Sequence, residues 1–174
     1  LPVLTLPHWR DSFGEGLTSG TNMQAPFTLY GVDFSPPTYK VALALSLMGE
    51  AFDFVVTTPR GDAKKPDYLK LNALGQVPIL IDMKTKRIFR QSPSILEMLA
   101  DRTGKFGGQS AEERIEMREW MYWDIDRLAP PVLRARRHRR GFMSYTQPIA
   151  EMYHSEALAG LKVLEDHFVE HKWL

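Results

Sequence analysis

No strand signal appears after residue 104, whereas residues 27 to 103 alternate short β-type runs with helix-forming stretches. That break confines the chain to an α/β unit followed by an all-helical one. Phe27 to Tyr30 is a β-type run stopped by Gly31. Ser35-Pro36-Pro37 opens a helix, with a capping hydroxyl followed by prolines that only a first turn tolerates. Val41, Leu45 and Met48 share one face of that helix, and Gly49 stops it. Phe52 to Thr57 is a second strand, and Thr58 to Lys70 is expected to be a loop with at most one irregular helical turn. Val77 to Asp82 and Lys86 to Arg90 flank a turn at Met83 to Thr85, and a helix follows from Ser92 to Arg102. The order is β-α-β-(loop)-β-β-α. A crossover makes the first two strands parallel, and the hairpin adds an antiparallel pair.

The expected organisation is a flexible tail over residues 1–25, an α/β domain over 26–103, a Gly-rich linker over 104–109, and an all-α domain over 110–174. Met23 is a candidate natural start. Ser110-Ala-Glu-Glu113 is a capping box that opens a helix running to about Leu128, where Pro130-Pro131 interrupts or kinks it. A last helix from Gln147 to His171 carries Ile149, Tyr153, Ala157, Leu161, Leu164 and Phe168 at helical spacing. So few helices make a thin domain, read as incomplete.

The chain has no cysteine. The core alone must hold the fold, and every mechanism that needs a protein thiolate is excluded. If thiol chemistry occurs, the thiol arrives with a ligand. A net charge of +1 gives no reason to expect a polyanionic partner for the whole molecule, so no nucleic acid is expected. No apolar run is long enough for a membrane span. Leu1 to Leu6 lack the basic flank and cleavage site of a secretory signal, which points to a cytoplasmic protein.

Three motifs in register resemble the landmarks of cytosolic glutathione S-transferases. They are Tyr30-Gly-Val-Asp-Phe-Ser35-Pro-Pro-Thr-Tyr-Lys-Val41, Asn72-Ala-Leu-Gly-Gln-Val-Pro78 and Gln91-Ser-Pro-Ser-Ile95. The resemblance covers roughly residues 27 to 174 and is to the serine-type classes (theta-, phi- and nu-like). It implies a thioredoxin-like fold for the α/β domain, glutathione as co-substrate, an apolar electrophile as second substrate and a homodimer. Val77, the residue before Pro78, would present its backbone N–H and C=O to the cysteinyl part of glutathione, with the Val77–Pro78 bond cis and Gln76 and Pro78 completing the binding segment. Gln91 and Ser92 would bind the γ-glutamyl carboxylate at a helix N-terminus. Lys64 would reach the glycyl carboxylate, although Ala63 stands where the family often has a second basic residue.

The resemblance makes Ser35 the hydroxyl that activates the thiol. Tyr30, at the end of the first strand, is its rival, and Thr38 is a weaker third. As a plain N-cap, Ser35 would have no catalytic duty. Alternatives to conjugation are a non-catalytic binding module and a disulfide reductase that uses only glutathione thiols.

Arg134-Ala-Arg136-Arg137-His138-Arg139-Arg140 is expected to be a solvated helical turn or loop, with a positive rim for an anionic electrophile as the sharper reading. Trp120, Tyr122 and Trp123 read as packing residues. His167 and His171 are spaced one helical turn apart, but nothing resembles a metal-ligand pattern, and no metal is expected.

Overall fold

The computed structural model describes residues 25–174. The tail reading and the candidate start at Met23 fall, but for Ala25, outside the described residues. Four strands, β1 (Phe27–Gly31), β2 (Phe52–Val56), β3 (Ile79–Asp82) and β4 (Ile88–Arg90), form one sheet in the order β2-β1-β3-β4. β1 and β2 are parallel, joined by the crossover helix α1 (Pro36–Met48), and β3 is antiparallel to both β1 and β4. Helix α2 (Pro66–Leu71) precedes β3, and α3 (Ser92–Thr103) follows β4. The sheet domain is therefore thioredoxin-like, with the expected element order.

Period-2 alternation divides the sheet between two cores. Phe27 and Leu29 of β1 and Leu80 of β3 pack with Val41 and Leu45 of α1 and Ile95 and Leu99 of α3, all of them fully buried. On the other face, Ile79 packs with Tyr68 of α2 and Ala63, with Tyr30, Val77 and Ile88 against them. The segment between β2 and β3 is more helical than the sequence implied. Besides a 3₁₀ turn at Asp62–Lys64 it holds all of α2, which starts with Pro66 at its first position and buries Tyr68. Prolines there start a helix instead of breaking one.

The hairpin turn is held by Asp82, whose Oδ1 accepts the N–H groups of Lys84 (2.8 Å) and Thr85 (3.0 Å). Its Oδ2 accepts from Arg102 at 2.6 Å, and that guanidinium lies over the Phe27 ring. The end of β3, the start of β1 and the last turn of α3 are thus tied at one point.

Beyond Gly104 the chain is helical: α4 (Ala111–Trp123), a π turn at Asp124–Leu128, α5 (Ala129–Arg139) and α6 (Gln147–Glu170). The capping box at Ser110 and Glu113 is present. Pro130 and Pro131 do not end the helical run. The run widens into the π turn just before them, where the Ala129 N–H bonds the Asp124 carbonyl, and the helix resumes with both prolines in its first turn. On α6 only Ala157 and Gly160 are buried, while Ile149, Leu161 and Phe168 of the apolar stripe are exposed. Trp120 stacks edge-on against Trp123 and His167, and His167 stacks on His171. Among the described residues no group of three or more possible ligands is placed to hold a metal, and no helix is long and apolar enough to cross a membrane.

α1 sits unusually close to the end of β1. A Cβ on Gly31 would lie 2.3 Å from Thr38 Cγ2 and 2.5 Å from Thr38 Oγ1. Gly31→Ala is therefore expected to lower stability by about 1–3 kcal/mol in urea unfolding. Adding Thr38→Ala removes the two clashing atoms and should return part of that loss. A double variant less stable than Gly31→Ala alone would contradict the contact as its cause.

Candidate functional site at the C-terminal end of the parallel strands

β1 and β4 end, and β3 begins, at the same end of the sheet. Tyr30 pairs with Ile79, and Ile79 with Arg90. Val32 follows β1, Val77-Pro78 leads into β3 and Ser92 follows β4, so all three segments lie just beyond this end of the sheet. Three of the expected sites are therefore adjacent: the α1 start with Ser35, the loop with Val77-Pro78, and the α3 start with Gln91-Ser92. The Val77–Pro78 bond is cis.

Ser35 is half-buried and occupies the N-cap position of α1, yet its side chain makes no capping bond. Pro36 and Pro37 have no N–H, so of the first three helical positions only Thr38 offers a backbone donor, and the Ser35 hydroxyl does not take it. The Ser35 N–H goes to Val32 O at 3.1 Å. Thr38 is buried, and its Oγ1 has no partner. Tyr30 takes another place. Alternation puts its ring on the α2 face, 6.3 Å from the Tyr68 ring, opposite the face on which α1 packs.

Gln91 stands at φ 66°, in the region that favours glycine, just before α3. Such a residue costs of order 1–3 kcal/mol and collects at ligand clamps. Pro93 removes one N–H from the first turn of α3, which leaves those of Ser92 and Ser94 facing out of the helix end. Ser92 itself is buried.

The Val77 loop is fixed by two residues that the sequence reading passed over. Asn72 Nδ2 (2.8 Å) and Tyr68 Oη (2.7 Å) both donate to the Gln76 carbonyl. Asn72 Oδ1 accepts the Leu74 N–H, and the Asn72 carbonyl accepts the Gly75 N–H at 2.8 Å. An Asn opening a turn is a readable signal. Lys64 does not extend freely to a ligand: its Nζ donates to the Gly75 carbonyl at 2.9 Å, which leaves two of its three hydrogens. Gly75, at φ 56°, has no room for a side chain, because a Cβ would lie 2.8 Å from both Ala63 O and Lys64 Nζ. Asp62 holds the preceding turn through Thr58. The Lys65 ammonium, with the Thr58 N–H and hydroxyl, keeps its carboxyl well below the usual carboxylate range.

The helical domain reaches this end of the sheet. Arg136 Nη1 donates to the carbonyl of Phe34, the residue before Ser35, at 3.3 Å. Arg60, after β2, donates to Phe142 O at 2.6 Å. Lys40 pairs with Asp124 at 2.5 Å, and Arg118 with Glu97. The basic run is thus not simply solvated, since one member lies against the loop that carries Ser35.

A thioredoxin-like sheet domain followed by helices that close over the start of α1 is the architecture of glutathione transferases. A family model described as "Glutathione S-transferase, N-terminal domain" matches residues 34–102. The chain is 31% identical over 157 residues to glutathione S-transferase F9 of Arabidopsis thaliana, covering 84% of this chain and 71% of that one. A possible glutathione S-transferase from Rhodopseudomonas palustris superposes with a TM-score of 0.76 at 28% identity, over 86% of this chain and 74% of that one. The glutathione transferase URE2P6 of Phanerochaete chrysosporium, solved with oxidized glutathione, gives 0.78 at 25% identity, over 86% and 70%. The chain belongs to the glutathione S-transferase family.

Burial, and after it the neighbouring Tyr30, pushes the Tyr68 hydroxyl up to about 12. Its folded value lies above the ordinary ~10, so the stability it contributes is intact below pH ~10 and is lost as pH rises toward 12. Tyr68→Phe and Asn72→Ala are each expected to lower stability by about 1–2 kcal/mol in urea unfolding at neutral pH. Tyr68→Phe should also lose part of the alkaline decline. An unchanged alkaline limb would contradict this role for the phenol.

Proposed function

We propose that this chain is a glutathione transferase that activates the thiol of glutathione through Ser35 and transfers the sulfur to an electrophile. The reading rests above all on the convergence of the α1 start, the Val77 loop and the α3 start at one end of the sheet. The backbone N–H and C=O of Val77, with Gln76 and Pro78 on either side of it, take the cysteinyl part of glutathione as an added strand. The N–H groups of Ser92 and Ser94, with the Gln91 side chain, take the γ-glutamyl carboxylate. Lys64 serves the glycyl carboxylate with the hydrogens left after its bond to Gly75. The division at 104–109 and pairing of two copies belong to the same proposal.

The energetics are sufficient. A cysteine-like thiol titrates near ~8.5, and lowering it by roughly 1.5–2 units takes about 2–3 kcal/mol. A hydrogen bond to a charged group supplies about 1.5–3 kcal/mol, and a helix N-terminus about 0.3–1. Ser35 sits at such an end with its hydroxyl unspent on capping, whereas Tyr30 is packed on Tyr68. Thiolate attack then forms a carbon–sulfur bond as the leaving group departs with its electron pair. With no cysteine in the chain, disulfide reduction by glutathione thiols alone is the second reading.

The test is the ultraviolet titration of bound glutathione's thiol, with affinity measured alongside. In the unmodified protein the pKa should fall by about 1–2 units. Ser35→Ala should restore it while still binding, and should cut conjugation at pH 7 about eight- to twenty-five-fold, the ratio of thiolate fractions. Tyr30→Phe should keep the shift. A shift retained in Ser35→Ala and lost in Tyr30→Phe would overturn the assignment. Binding with an unshifted thiol and no turnover would make the chain a binding module.

A further inference from the structure

On the conjugation reading the electrophile must approach Ser35 past the β1–α1 loop, which the end of α5 contacts through Arg136, and that end is strongly basic. Residues 134 to 140 hold five arginines in a chain whose net charge is only +1. Among the described residues none of the five is in a salt bridge. A helix C-terminus is stabilised by one or two cations, so charge complementarity to the helix explains part of the cluster and not all of it. One of the five, Arg134, has structural work, lying over the Tyr153 ring, and between them His138 Nδ1 accepts the Tyr145 N–H.

Arg136 faces the site itself. One of its five N–H groups reaches the Phe34 carbonyl at 3.3 Å, which places a guanidinium beside Ser35 with donors to spare. Arg139 and Arg140, three and four positions on, share its helical face and are exposed. The acid on the facing loop is Asp33, whose carboxylate accepts the Phe34 N–H at 2.8 Å.

We infer that the electrophile taken by this site carries a negatively charged group, a carboxylate or a comparable anion, held by Arg136 and drawn in by Arg139 and Arg140. The inference rests on the conjugation reading above and names the substrate class for it. A fork of donors next to the sulfur fixes an anionic ring substituent, while the exposed pair acts at longer range and is screened by salt.

Two chloronitroarenes that differ in charge test it: neutral 1-chloro-2,4-dinitrobenzene and anionic 4-chloro-3,5-dinitrobenzoate. In both, the thiol proton goes to solvent, the sulfur bonds to the ring carbon, and chloride leaves with its electron pair. After correction for the uncatalysed rates, kcat/KM should favour the anionic substrate. Arg136→Gln should lower that preference about fivefold or more, and so should the paired Arg139→Gln, Arg140→Gln variant. In the paired Arg139→Gln, Arg140→Gln variant the neutral substrate and the KM for glutathione should hardly change, while Arg136→Gln, which also loses the bond to Phe34, is read on the preference between the two substrates. Added salt should erode the preference in the unmodified protein, and Arg114→Gln, at the far end of the helical run, should leave it intact. Equal selectivity in all variants overturns the inference alone, as does a loss confined to the KM for glutathione. No conjugation of either substrate contradicts the conjugation reading and this inference with it.

Discussion

Where β1 ends at Gly31 there is no space for a side chain, because Thr38 of α1 fills it: an added Cβ would meet Thr38 Cγ2 at 2.3 Å. That close approach brings the first turn of α1 down onto the end of the strand. The Ser35 hydroxyl makes no capping bond, and Pro36 and Pro37 leave Thr38 as the one backbone donor among the first three helical positions. A helix end and an uncommitted hydroxyl are therefore held at the end of the sheet by this packing, together with the Ser35 N–H bond to the Val32 carbonyl. Removing the clash-free glycine would move Ser35 relative to everything it is proposed to act on.

Opposite that turn, the Val77 loop is held by hydrogen bonds in addition to the packing of Val77 on the second core. The Gln76 carbonyl takes two donors, from Tyr68 and Asn72, and Lys64 bonds the carbonyl next to it. Both carbonyls are turned toward protein partners, which fixes the peptide planes on either side of Gln76. At the third corner, Gln91 accepts an unfavourable φ so that α3 can start where β4 stops. Rigid packing, a bonded loop and a strained residue thus make three different kinds of anchor around one place.

Sequence made some of this legible and not the rest, for physical reasons. Ser35, Val77-Pro78 and Gln91-Ser92 announce themselves because caps, X-Pro bonds and strand-to-helix junctions are local in the chain. Once Phe27 and Leu29 face α1, period-2 alternation sends Tyr30 to the other side, but the parity has meaning only when it is known which helix covers which face. The convergence of Tyr68 and Asn72 on one carbonyl is hidden in the sequence, where the prolines and charges of residues 58–70 outweigh the signal of a short helix that starts with Pro66. The contact from Arg136 to Phe34 spans 102 positions, so no spacing rule reaches it, and the basic run looked like solvated surface. Pro130-Pro131 looked like a break because a π turn has no sequence signature.

The central claim is that one small peptide bridges the three anchors at once, and amide shift mapping of ¹⁵N-labelled protein during a titration with glutathione tests it most directly. The account predicts that the amides of Thr38, Val77, Ser92 and Ser94 shift together, with one common saturation curve, while those around Asp82 at the opposite end of β3 stay still. Shifts confined to the helical domain, or separate curves for the three segments, would contradict a single site at this end of the sheet.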